Sequence, residues 1–179
     1  MESQCSGILA ANAGLILGLL QTRGYATALI GSGSMIPDPD RAEALVDIRM
    51  KRQRILQGEN PTTVRALVSE SALGCEIGGR DVLRGQLAHL LELIELPNVT
   101  IQVLLTSSPA SAYNGGLTMF DFSGPHDPSA LFIEYHGGML IKEDDRDLRR
   151  YRRHIEYLFA DALSTDESRS HIAARMRSI

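Results

Sequence analysis

Between Asn60 and Leu105 the apolar positions switch from period two to the helical period and back. This predicts a strand, a short turn of helix, a long amphipathic helix and a second strand. Val64, Ala66 and Val68 alternate with Thr63, Arg65 and Leu67, the pattern of a strand with one buried face. Gly78-Gly79 breaks the chain, after which Arg80–Leu96 places Leu83, Leu87, Leu90, Leu91 and Ile94 on one helical stripe. Pro97-Asn98 stops that helix, and Val99, Ile101, Val103 and Leu105 resume the alternation. A helix joining two strands that share a core is the smallest self-consistent unit, and the rest of the chain adds layers to it.

Upstream, residues 7–30 read as one or two helices with a break near Gln21–Gly24. Residues 31–40 (GSGSMIPDPD) form a loop that ends in an Asp cap. Arg41–Gln57 is predicted helical, with Leu45, Ile48, Ile55 and Leu56 inward and the run RMKRQR outward. Downstream, 106–116 is a polar loop, Leu117–Phe122 a strand, 123–129 a turn and Ala130–His136 another strand. Gly137-Gly138 turns tightly into Met139–Ile141. Asp144–Leu163 is an amphipathic helix with Leu148, Tyr151, Ile155, Leu158 and Phe159 inward and Arg149, Arg150, Arg152 and Arg153 largely outward. Residues 164–178 make a last helix, capped by Thr165 or Asp166. Helices, then strands in antiparallel-looking order, then helices make one α+β domain over 1–179. Its mainly antiparallel sheet of about four or five strands is flanked by N- and C-terminal amphipathic helices.

Composition narrows the class. With 44% hydrophobic residues in 179, the chain suits one compact core. Mean hydropathy of -0.07 and the lack of a bilayer-length apolar run predict a soluble, cytoplasmic protein with no membrane partner. Cys5 and Cys75 are too few and too far apart for a disulfide framework or a metal site. A net charge of -4, with Lys51 and Lys142 the only lysines, argues against direct nucleic-acid binding. The sequence holds no Gly-rich phosphate loop, nucleophile elbow or metal-spaced His/Cys set, so no cofactor is expected.

Several segments in order carry a resemblance: GLLQTRGYATAL (18–29), RMKRQRIL (49–56), SESAL (69–73) and RGQLAHLLEL followed by PNVTIQVL. FIEYHGGMLIKED (132–144) and STDESRSHI (164–172) complete the set. Together they resemble the C-terminal domain of unknown function in actinomycete helix-turn-helix regulators of the Xre type, often described as antitoxin-like. The resemblance implies a sensor or interaction domain. Leu17 stands where that family has proline before Gly-Leu-Leu. Such regulators begin with a DNA-binding helix-turn-helix, whereas this chain enters the C-terminal domain almost directly at Met1. The expectation is therefore a domain without DNA binding of its own, either a stand-alone chain or a fragment.

Candidate polar groups follow from strand parity and loop length. Glu134 and His136 share one face of their strand with Phe132, which suits proton transfer or polar ligand contacts, or else a half-solvated face. Asp121 shares a face with Met119 and Leu117, at the strand's wet end or in a cavity wall. Tyr113 and Asn114 lie in the longest internal loop, as a ligand lid or an ordinary connection. Gln21, Thr22 and Tyr25 match the family's QTxxY, as pocket-lining tips or as caps at a helix break. Glu70 is expected to pair with Arg49, Arg52 or Arg54.

Two functional readings result. In the first, the domain binds a small molecule or a protein partner, with a homodimer as one form of partnership. In the second, it is a cofactor-independent enzyme of a natural-product pathway, of the cyclase or isomerase type, working by substrate positioning and one or two acid–base groups. Glu134, His136, Asp121 and Tyr113 are the candidate catalytic residues. Gln21, Tyr25, Phe120, Phe132, Asn114 and Met119 are the ligand-binding candidates, although Phe120 and Met119 point to opposite faces of their strand.

Overall fold

The computed structural model describes residues 5–32, 38–124, 129–135 and 138–179. Six strands, β1 (Cys5–Asn12), β2 (Thr63–Ser69), β3 (Val99–Leu104), β4 (Gly116–Phe122), β5 (Ala130–Tyr135) and β6 (Gly138–Lys142), form one sheet in the order β3-β2-β1-β4-β5-β6. The helices are α1 (Arg23–Gly31), α2 (Pro39–Arg52), α3 (Glu70–Gly74), α4 (Arg80–Ile94), α5 (Asp145–Ala160) and α6 (Thr165–Arg177). β1, β2 and β3 run parallel, while β1–β4, β4–β5 and β5–β6 pair antiparallel. The sheet is thus mixed and six-stranded, not mainly antiparallel with four or five strands.

The additional strand is β1, taken from a segment whose sequence reads as helix. Ile8, Leu9, Ala10 and Ala11 are all buried, because β1 lies between β2 and β4 with both faces covered. A strand buried on both faces loses the period-two signal and reads as a plain apolar run. The expected break near Gln21 is present: Thr22 Oγ1 accepts from Tyr25 N at 3.2 Å and starts α1 at Arg23.

Strand parity divides the core in two. On one face Ile8, Ala10, Val64, Ala66, Val68, Ile101 and Phe120 pack with Leu83, Leu87 and Leu90 of α4, with Ile172 of α6, with Tyr25 of α1 and with Leu19 and Leu20 just before it. On the other, Leu9, Ala11, Leu67, Leu117, Met119 and Leu131 meet Leu148, Ile155, Leu158 and Phe159 of α5. Each fully buried side chain of this size contributes about 1.5–3 kcal/mol. Gly78, at φ +75°, ends the turn before α4; a Cβ there would stand 2.6 Å from that of Ala28.

The two sheet edges differ. At β3, Val103 N donates to Ser168 Oγ at 2.9 Å and Val103 O accepts from Leu163 N at 2.9 Å, so the α5–α6 connection seals the edge. At β6, Met139, Leu140 and Ile141 are each about half exposed. Asp144 caps α5. α6 starts from a capping box between Ser164 and Glu167, one residue before the expected Thr165 cap, because only Ser164 stands three residues ahead of a glutamate that can return the bond.

Candidate functional site

The site begins where the chain leaves β1. Residues 13–22 turn back from the carboxyl end of β1 onto one face of the sheet and are tied down by buried amides. Gln21, 2% exposed, donates from Nε2 to Ile16 O at 2.6 Å and accepts at Oε1 from Arg49 Nη1 at 2.7 Å. Gln53 Nε2 donates to Gln21 O at 2.5 Å. On the other side, the fully buried Gln86 of α4 accepts from Thr22 N and donates to Leu20 O, both at 2.7 Å. Arg49 and Gln53 are one helical turn apart, so both reach this segment from the same side of α2. The RMKRQR run is therefore not a uniformly outward face.

Between this segment, α2 and the far half of the sheet lies a cleft of about 440 Å³. Leu15, Ile16, Leu17 and Leu29 line it from above, Arg49 and Arg52 from α2, and Thr118, Phe120, Phe132, Glu134 and Met139 from β4–β6. The register makes this arrangement: Thr118 pairs with Phe132, Gly116 with Glu134 and Met139 with Glu134, so these residues share one face. Phe120 and Phe132 meet edge to face, with centroids 5.0 Å apart and planes at 81°. A Cβ at Gly116 would stand 3.0 Å from that of Glu134, so glycine there gives the glutamate its room. The cleft reaches the carboxyl end of β1, where the sheet changes from parallel to antiparallel pairing.

Charge in the cleft is uneven. Burial and the neighbouring Arg52 guanidinium lower the pKa of Arg49, and the Glu134 carboxylate partly offsets them. Among the described residues, the one hydrogen-bond partner of the Arg49 side chain is the neutral amide of Gln21. Two further hollows, one by Cys5, Asn60 and Ser123 and one between α1 and α2, lack such a meeting of aromatic and paired charged groups.

Of the residues singled out in sequence, Gln21, Phe120, Phe132 and Glu134 come together in this cleft. Met119 lies on the opposite face, packed under α5. Asp121 is on that face too, bound to Arg152 of α5 and accepting from Ser129 Oγ at 2.6 Å. Arg152 thus folds onto the sheet instead of pointing out with its neighbours. Tyr113 is 65% exposed, its carbonyl taking a 3.1 Å bond from His154. Asn114 donates from Nδ2 to Asn12 O at 3.2 Å, just behind the cleft, with Oδ1 buried and unpartnered. Tyr25 is a core residue, 0% exposed; burial, then the Cys75 charge, raises its pKa, and the Ile16 backbone partly offsets them. His136 lies outside the described residues. Glu70 takes Thr106 N and Oγ1 at 2.9 and 2.6 Å and His171 at 3.3 Å, not an arginine of α2, because α3 sits at the far carboxyl end of β2 beside β3 and α6.

Arg49, Arg52, Thr118 and Met139 are among the cleft residues that sequence reading passed over. Arg49 had a signal: an arginine and a glutamine at i and i+4 within a polar run. Among the described residues no three or more His, Cys, Asp or Glu side chains gather to hold a metal ion. No helix there is long and apolar enough to cross a membrane.

The family model described as a domain of unknown function (DUF5753) matches residues 1–174. No curated protein and no solved structure matches the chain.

Proposed function

The chain belongs to the family of domains of unknown function DUF5753, and we propose that it is a ligand-binding module that holds a small molecule in the cleft between α2 and the β4–β6 half of the sheet. In this reading it is the sensor half of a regulator-type protein, related to the C-terminal domains of Xre-type regulators and without DNA binding of its own. The observation that carries it is the Arg49–Gln21 contact beside the Phe120–Phe132 pair. A half-buried cation is fixed by a buried amide at the edge of an aromatic wall. Fixed polar groups converging on an apolar concavity are what small-molecule sites consist of.

Binding is better supported than catalysis. Of the three acid–base candidates among the described residues, Glu134 lines the cleft, while Asp121 and Tyr113 lie elsewhere in the structure. Among the described residues, a cyclase or isomerase reading rests on Glu134 and on positioning. The open β6 edge favours a second mode, a protein partner that adds a strand there.

Native mass spectrometry of the protein isolated from its own host tests the proposal. A small molecule retained by the wild type and lost in Phe132→Ser is expected. A bare chain, or an adduct that Phe132→Ser leaves in place, contradicts it.

A further inference from the structure

We propose that the ligand of this cleft is an organic anion, a largely flat apolar body carrying one acidic group that lies against Arg49 and Arg52. This inference rests on the binding reading above and gives it a chemical class. Among the described residues, two guanidinium groups, Arg49 and Arg52, and one carboxylate, Glu134, line the cleft. Arg49 is half buried with a neutral amide as its side-chain partner among the described residues. A guanidinium in that setting has donors to spare, arranged as a planar fork that matches a carboxylate or sulfonate. Gln21 holds the fork in place before any ligand arrives, since its own Nε2 is anchored to Ile16 O. Little ordering is left for the ligand to impose.

The body of the ligand follows from the remaining walls. Phe120, Phe132, Leu15 and Met139 offer apolar and aromatic surface, and Leu15 and Met139 stand 44% and 51% exposed at the rim. Large apolar side chains left that open beside a concavity mark surface that a ligand can cover. Glu134, on the same wall as Met139, limits the charge tolerated: a ligand with acidic groups at both ends would place one of them against it. An inorganic anion would satisfy the arginines and leave the aromatic wall unused. A cation would meet two like charges.

Fluorescence titration of the intact chain with anilinonaphthalene sulfonate and its uncharged relative N-phenylnaphthylamine tests the inference. The two probes share an aromatic body and differ in the acidic group. The expected result is one saturable site that prefers the sulfonate by about tenfold or more, the size of one charge-assisted hydrogen bond. Arg52→Gln should remove most of that preference, and Glu134→Gln should tighten the sulfonate. Equal affinity for the two probes, with both lost in Phe132→Ser, overturns the anion and leaves the binding reading standing. Failure of either probe to bind, or binding that Phe132→Ser does not alter, overturns both. Circular dichroism and melting curves on each variant identify uptake by loosened chains, which counts as failure to bind. If Arg52→Gln does not fold, the wild-type probe ratio and Glu134→Gln decide the matter.

Discussion

The guanidinium of Arg49 donates from Nη1 to Oε1 of Gln21 across 2.7 Å, joining α2 to the segment that leaves β1. Gln21 is 2% exposed and also donates to Ile16 O, so one amide organises both the backbone of the cleft's upper wall and its nearest cation.

Gln21→Ala should therefore be costly to the fold. It leaves Ile16 O and the Arg49 guanidinium facing each other's empty space in a mostly buried setting. The expected loss is about 2–4 kcal/mol, one to two unsatisfied buried groups, read as a fall in the urea midpoint. Gln53→Ala, which removes a donor to Gln21 O and a longer one to Gly18 O, should cost about 1 kcal/mol. A double-mutant cycle of Gln21→Ala with Arg49→Met should return a coupling above about 0.5 kcal/mol.

Glu70 predicts an acid-dependent part of stability. Hydrogen bonds from the Thr106 hydroxyl and backbone, with a smaller contribution from His171, lower its pKa below the ordinary 4.5. Its stabilisation is present above the unfolded-state value and is lost as pH falls through the folded value. Denaturation midpoints measured from pH about 3 to about 7 should drop at the acidic end in the wild type. Glu70→Gln should flatten that drop and be less stable near neutral pH.

Asp121 and Arg152 separate the two faces of the sheet. Their ion pair clamps α5 to β4 on the side away from the cleft. Asp121→Asn should cost about 1 kcal/mol or less, since both side chains are partly exposed. It should leave the affinity for any cleft ligand unchanged in a titration. A strong loss of binding would place the ligand on the α5 face.

Leu140 stands 46% exposed on the open edge strand between Met139 and Ile141. Leu140→Lys should leave the melting temperature within about 0.5 kcal/mol equivalent and raise recovery from refolding, because a charged edge resists strand-to-strand association. Static light scattering during refolding reads the difference.

The sequence made the parallel β2–α4–β3 unit legible because β2 and β3 keep an alternating face and α4 keeps its leucine stripe. β1 was hidden by its own burial: Ile8, Leu9, Ala10 and Ala11 read equally well as helix once both faces are apolar. With β1 missing, the parallel half of the sheet had no visible partner and the strands looked antiparallel. Parity within each strand did put Phe132 with Glu134 and Phe120 opposite Met119 and Asp121, but the register that joins Phe120 to the Phe132 face was not legible. Arg49 was obscured because a polar run on a helix says nothing of which residue meets a buried amide 28 positions away. Tyr25 shared a segment with Gln21, yet the helix that starts at Arg23 turns its ring into the core.

The most direct test of the cleft as the binding site is an amide chemical-shift map of the isotope-labelled chain on titration with anilinonaphthalene sulfonate. Saturable shifts confined to Leu15–Gln21, the α2 turn around Arg49, Thr118–Phe120 and Phe132–Glu134 are the predicted result. Shifts centred instead on α5 or Tyr113, with Gln21 and Phe132 unmoved, would contradict the account.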